Sequence, residues 1–126
     1  MAYDKLEAAW RAFQDDHPGT SEISVISKEG EILYSSGDAA FTAEEAVLIR
    51  KAWTGEESAI HVDGKRFVIL KREEIQLVGI NKSDNLTLLG SVGQSGNYTA
   101  AILGPNAGGS AIQLSVDFNR AVWEYS

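Results

Sequence analysis

Ser110-Ala-Ile-Gln-Leu-Ser-Val-Asp-Phe-Asn-Arg-Ala-Val-Trp-Glu-Tyr-Ser126 is the stretch around which the rest of the sequence is organised. At about 100° per residue, Ala111, Leu114, Phe118, Ala121, Val122 and Tyr125 fall in one arc roughly 100° wide, the stripe of a helix that lies on a sheet. Ile112, Val116 and Trp123 fall together roughly 150° away from that arc, on a side that a single sheet underneath cannot cover. Gly108 and Gly109 break whatever precedes, and Ser110 with Gln113 makes an S-x-x-Q capping box. The helix therefore needs a sheet on one side and leaves a second apolar side for another surface.

Upstream lies the sheet. Ala59 to Val62 and Lys65 to Lys71 are joined by Asp63-Gly64, a strong hairpin signal. Ile75 to Ile80, Leu86 to Val92 and Tyr98 to Leu103 follow, punctuated by Lys82-Ser-Asp-Asn85 and Gly93-Gln-Ser-Gly96. No connection is long enough for a crossover helix, so these strands form an antiparallel meander. Their near-continuous apolar runs, Phe67 to Leu70 among them, need cover on at least one face. Before them, Phe41-Thr-Ala-Glu-Glu45 is a capping box, and Ala46, Ile49 and Trp53 give the buried stripe of a helix that stops at Gly55. Glu22 to Ser27 and Glu31 to Ser35 read as two antiparallel strands turning at Lys28-Glu29-Gly30. Asp4-Lys-Leu-Glu7 is a third capping pattern, and Leu6, Ala9, Trp10 and Phe13 follow at helical spacing, which predicts a helix from about Asp4 to Gln14. Pro18 biases its predecessor out of helical geometry and ends it. Helix, two strands, helix, five strands, helix makes an α+β sandwich with one antiparallel sheet as its middle layer.

A chain of 126 residues suits one domain, residues 1–126, large enough to fold without disulfide or metal. The absence of cysteine excludes disulfides, thiolate zinc sites and cysteine catalysis. No apolar run is long enough to span a bilayer. Met1 to Phe13 carries Asp4, Lys5, Glu7 and Arg11 where a secretory signal needs an unbroken apolar core, so the chain reads as cytoplasmic and not membrane-embedded. The balance of 11 basic and 18 acidic residues, net charge -7, argues against nucleic acid as a partner. Lys65, Arg66, Lys71 and Arg72 are a local exception. They read either as the solvated ends of a buried strand or as a basic patch suited to an acidic partner.

Catalytic chemistry finds no support. His17 and His61 have no cysteine and no i, i+4 partner to build a metal site. Gly90, Gly93 and Gly96 precede a strand, whereas a phosphate cradle leads into a helix N-terminus. Asp15-Asp16 and Glu73-Glu74 are adjacent pairs whose side chains point apart into water, and there is no G-x-S-x-G elbow. No enzyme and no cofactor are expected. Aromatic surface remains. Trp10 and Phe13 read as core, while Tyr3, Tyr34, Trp123 and Tyr125 can meet if the terminal helices pack side by side. Rings lining a groove are the usual receptor for polyproline II peptides.

At this point the chain resembles the profilin family over essentially its whole length. The resemblance rests on the opening helix and on Ile23-Ser-Val-Ile-Ser-Lys-Glu-Gly-Glu-Ile-Leu-Tyr34-Ser-Ser-Gly37. It continues through Phe41-Thr-Ala-Glu-Glu-Ala46, the Val62-Asp-Gly-Lys-Arg-Phe67 hairpin and the Gly108-Gly109 lead into a final helix, all in profilin order. The chain is most similar to the divergent profilins of archaea that encode actin-like proteins (Asgard-type). The resemblance implies an α+β sandwich of about six to seven antiparallel strands, with the N- and C-terminal helices on one face and a further helix on the other. It also implies a monomeric, actin-monomer-binding protein that regulates filament assembly, from a family that also binds proline-rich peptides and phosphoinositides. Carried over residue by residue, the actin-binding positions are Lys65, Lys71 and Arg72 on the strands, and Asn106, Gly109, Gln113, Val116, Asp117 and Arg120 at the helix. The proline-peptide groove falls at Tyr3, Leu6, Tyr34, Val122, Trp123 and Tyr125. Here the sequence departs from the family: the usual early Trp-x-x-Tyr is Tyr3-x-x-Leu6, and the C-terminal His-Leu pair falls at about Ala121-Val122. The runner-up is a dimerising signalling scaffold of the roadblock or longin kind.

Overall fold

The structure is a computed structural model that describes residues 3–17, 20–21, 23–35, 41–62, 64–73, 76–94, 96–104 and 111–123; for residues 71, 72, 111 and 112 it describes the backbone. The elements are α1 (Asp4–Asp16), β1 (Ser24–Ile26), β2 (Ile32–Ser35), α2 (Ala43–Thr54), β3 (Ala59–Val62), β4 (Lys65–Arg72), β5 (Gln76–Asn81), β6 (Leu86–Val92), β7 (Tyr98–Leu103) and α3 (Ala111–Val122). All strands join one sheet in the order β2-β1-β7-β6-β5-β4-β3. Every pairing is antiparallel. The last strand thus lies beside the first, which leaves β2 and β3 as the two edges.

Side chains alternate across a strand, and the two faces hold separate cores. On one face α1 and α3 bury Leu6, Trp10, Phe13, Leu114, Phe118 and Val122 against Val25, Val78, Leu89 and Ala101. On the other, α2 buries Ala46, Ile49, Ala52 and Trp53 against Phe67, Leu77, Leu88 and Ala100. The terminal helices run antiparallel: Phe13 and His17, late in α1, lie beside Phe118 and Asp117. The indole of Trp10 donates to the Ser21 carbonyl at 3.0 Å, tying α1 to the segment that enters the sheet.

Local signals explain most boundaries. Thr42 caps α2 with both capping-box bonds in place, and Gly55 ends it in the left-handed conformation. Gly30, at φ +90°, closes the β1–β2 turn. The Asp4–Glu7 capping pattern is not used: Tyr3 occupies the N-cap of α1 with no side-chain cap bond, because Asp4 is already the first helical residue. Glu7 is instead 3.4 Å from Arg11, one turn on. The helix also runs past Gln14 to Asp16, and β1 is shorter than the apolar run containing it. The capping pattern Ser110–Gln113 begins on a residue outside the described ones.

The apolar run Phe67 to Leu70 has the cover on one face that its sequence calls for, and none on the other. This run is buried on one side only: Phe67 is inaccessible beneath α2, whereas Val68 is 40% and Leu70 61% exposed. The reason is reach. α3 lies over β6 and β5, and α2 packs under β3 and β4. Among the described residues no helix lies above the α3 side of β3 and β4.

Candidate functional site

The last helix presents two faces. Leu114, Ser115, Phe118 and Val122 are buried. At about 100° per residue, Gln113, Val116, Asp117, Arg120 and Trp123 share the outward arc. Trp123 is 43% exposed, so the ring on the surplus apolar side is surface, not core. Two anchors hold this half of the helix. The Asn119 amide donates to Ser91 Oγ at 2.6 Å, and the Gln94 N–H donates to the Trp123 carbonyl at 2.8 Å. The backbone at Trp123 is therefore fixed to the β6–β7 turn while its ring faces outward.

Toward α1, the Gln113 amide donates to Asp117 Oδ1 at 3.1 Å. The other oxygen of Asp117 lies 3.9 Å from His17 Nε2, and the His17 ring rests on Phe13 at 4.4 Å. Asp117 and Arg120, with Ala9, Ala12 and His17, line an open groove of about 560 Å³ between the two helices.

Beyond α3, on the same face of the sheet, lies the uncovered part of β3–β5. Val68 is opposite Ile80 in the β4–β5 register, and Arg66 is opposite His61 in the β3–β4 register. Residues directly opposite share a face, and Ile80 shares that of Val78, two residues away. A hollow of about 330 Å³ opens here, lined by Val68, Leu70 and Ile80 with Arg66, Asn81 and Lys82. Its rim is built. The buried Asn81 amide donates to the Arg66 carbonyl at 2.9 Å, and its oxygen accepts the Asp84 N–H at 2.7 Å. Asp84 in turn holds Lys65 Nζ at 3.0 Å, and Asn85 turns the chain at φ +55°.

Of the residues singled out in the sequence for actin, Lys65 is thus ion-paired at this rim. Lys71 and Arg72 lie on β4 opposite Val78 and Leu77, with side chains outside the described residues. Gln113, Val116, Asp117 and Arg120 lie together on the outward arc, with Asp117 and Arg120 turned toward α1. Asn106 and Gly109 lie outside the described residues. Of the groove residues, Tyr3 and Tyr34 stack at 4.8 Å and 22°, and antiparallel packing puts Tyr3 at the Trp123 end of the helix pair. Leu6 and Val122 are inaccessible and back the wall; Tyr125 lies outside the described residues. Sequence reasoning missed Val68, Leu70 and Ile80. The signal was the alternation of Arg66, Val68 and Leu70 with Phe67 and Ile69, two sets that belong to opposite faces. Among the described residues no group of His, Asp and Glu could hold a metal ion.

Seven antiparallel strands between a pair of terminal helices and a third, opposed helix make the profilin class of α+β fold. Solved structures share it. The profilin in a LokiProfilin2/rabbit actin complex superposes with a TM-score of 0.72 at 17% identity, covering 94% of this chain and 92% of that one. The profilin of a LokiProfilin1/rabbit actin complex gives 0.73 at 13% identity, covering 94% and 91%. Acanthamoeba castellanii profilin II gives 0.62 at 13%, covering 81% and 83%. No family model matches the sequence. Loki profilin-3 of Lokiarchaeum sp. (strain GC14_75) is 30% identical over 110 residues, 86% of this chain and 89% of that protein. The chain belongs to the profilin family, whose members are not enzymes.

Proposed function

We propose that this chain binds monomeric actin and regulates filament assembly by occupying a surface that filament subunits need. The observation that carries the reading is the uncovered strip of β3–β5 beside the outward arc of α3. It is an apolar and basic surface on an otherwise acidic chain, and exposed apolar patches of this kind mark sites of association. Two solved relatives were crystallised with rabbit actin, which supports the same reading. The contact set we propose is Lys65, Lys71, Arg72, Asn106, Gly109, Gln113, Val116, Asp117 and Arg120. A fluorescence assembly assay with a cognate actin tests it: a molar excess of the chain should suppress nucleation, and unchanged nucleation and elongation would sink the reading.

A second, weaker site is proposed at the opposite end of the terminal helices. The Tyr3–Tyr34 stack and the exposed Trp123 supply flat walls and a free indole for a proline-rich peptide. Titration with a proline decamer, read by Trp fluorescence, should show weak saturable binding that Tyr34→Ala abolishes; a signal indifferent to that change removes the groove. Phosphoinositides would reach only the 65–72 segment, since the net charge of -7 opposes an anionic surface elsewhere. We place the chain in the cytoplasm as a monomer; no described helix is long and apolar enough to cross a membrane.

A further inference from the structure

We infer that the hollow between β4 and the β5–β6 turn is the anchor point of the docking face, and that its occupant is an apolar side chain flanked by carboxylates on a folded protein partner. The inference rests on the actin reading above, and adds which residues supply affinity and what chemistry the partner must bring.

Three observations carry it. The floor is apolar and open: Leu70, at 61% exposed, and Val68, at 40%, stand on strand β4, where alternation gives Phe67 and Ile69 to the α2 core. A hollow of about 330 Å³ lies at the small end of ligand pockets, which span roughly 300–1,000 Å³, and suits one side chain better than a cofactor. The rim is cationic: among the described residues Arg66 and Lys82 line it, and the one carboxylate beside it, Asp84, is taken up by Lys65 at 3.0 Å, on a chain with 18 acidic and 11 basic residues. The exposed His61, in register with Arg66, adds a further nitrogen base on the same face.

The third observation is rigidity. Asn81 bonds both β4 and the β5–β6 turn, so the turn carrying Lys82 is held against the floor before any partner arrives. Preorganised pockets lose less ordering entropy on association. Energetic weight in interfaces concentrates in desolvated central pockets, while rim charges chiefly set the association rate. Leu70 and Val68 therefore govern how long the complex lasts, and Arg66 and Lys82 govern how fast it forms and how strongly salt opposes it.

The test is surface plasmon resonance of the full chain over immobilised cognate actin monomer at several salt concentrations, with folding checked by circular dichroism melts. Leu70→Asn, at an exposed position, should keep the wild-type melt and raise the dissociation rate at least tenfold, while Leu70→Met should restore it. Arg66→Ala with Lys82→Ala should slow association and flatten its salt dependence with little change in dissociation. Wild-type binding that Leu70→Asn leaves intact overturns the anchor and spares the actin reading. Absence of wild-type binding removes that reading and the anchor with it.

Discussion

Replacing Gly90 with alanine puts a methyl group where there is no room for one. An ideal Cβ there would lie 2.6 Å from Cζ3 of Trp53 and 3.2 Å from Cβ of Leu77. Carbon atoms rest at about 3.5–4.0 Å, so the indole must retreat by about 1 Å. It is not free to do so. Its Nε1 donates to the Glu73 carbonyl at 2.8 Å, and its face stacks on Tyr98 at 4.8 Å. Retreat stretches that hydrogen bond past use, at about 1 kcal/mol, and overpacking adds about 1–3 kcal/mol. The smaller conformational entropy of alanine in the unfolded chain returns about 0.5–1 kcal/mol. The net loss is about 2 kcal/mol, which at about 4 °C per kcal/mol for this size lowers the melting temperature by about 8 °C. Gly79, on the neighbouring strand, is the control: its Cβ would meet nothing closer than 3.4 Å, so Gly79→Ala keeps the entropy gain of about 0.5–1 kcal/mol without the clash and should hold or slightly raise the melting temperature. Calorimetric melts of the two variants decide the matter. Equal melting temperatures would refute the packing of α2 derived above.

Trp123→Ala should cost under about 1 kcal/mol in urea unfolding, as expected for a surface ring, whereas Trp10→Ala, wholly buried, should cost about 3–5 kcal/mol. Thr42→Ala removes the hydroxyl that accepts the Glu45 N–H at 3.1 Å and should cost about 1 kcal/mol, read as a shift of the urea midpoint at constant slope. Asn119→Ala strands the buried Ser91 hydroxyl and should cost about 1–2 kcal/mol, with faster amide exchange in the last turn of α3.

Much of this fold was legible because its punctuation is local. The boundaries of β3, β6 and β7 agree with the sequence reading, since Gly64, the residues before Leu86 and the turn at Gly93 to Gly96 are consecutive signals that need no tertiary knowledge. The start of α1 at Asp4 also agrees, but the role of Asp4 does not: it is the first helical residue, and Tyr3 holds the N-cap. Asp4 and Glu7 have capping spacing, but whether a residue lies at the cap or inside the first turn is set by how Leu6 and Trp10 must meet the sheet. Strand order was not legible either: β7 joins β1 across most of the chain, a pairing without a local mark. Nor was the hollow beside β4. Periodicity shows that Val68 and Leu70 share a face, but only the reach of α3, which ends over β5, shows that this face lies open. The surplus apolar side of α3 was legible from spacing alone, and the exposed Trp123 agrees with it.

Hydrogen–deuterium exchange of the chain with and without cognate actin monomer tests most directly which face docks. Protection is expected along residues 65–72, in the β5–β6 turn and over the outward arc of α3, with Tyr3, Tyr34 and the N-terminal turn of α1 unchanged. Protection confined to α1 and β2, or none on a chain that still binds, would contradict the docking face assigned to β4 and α3.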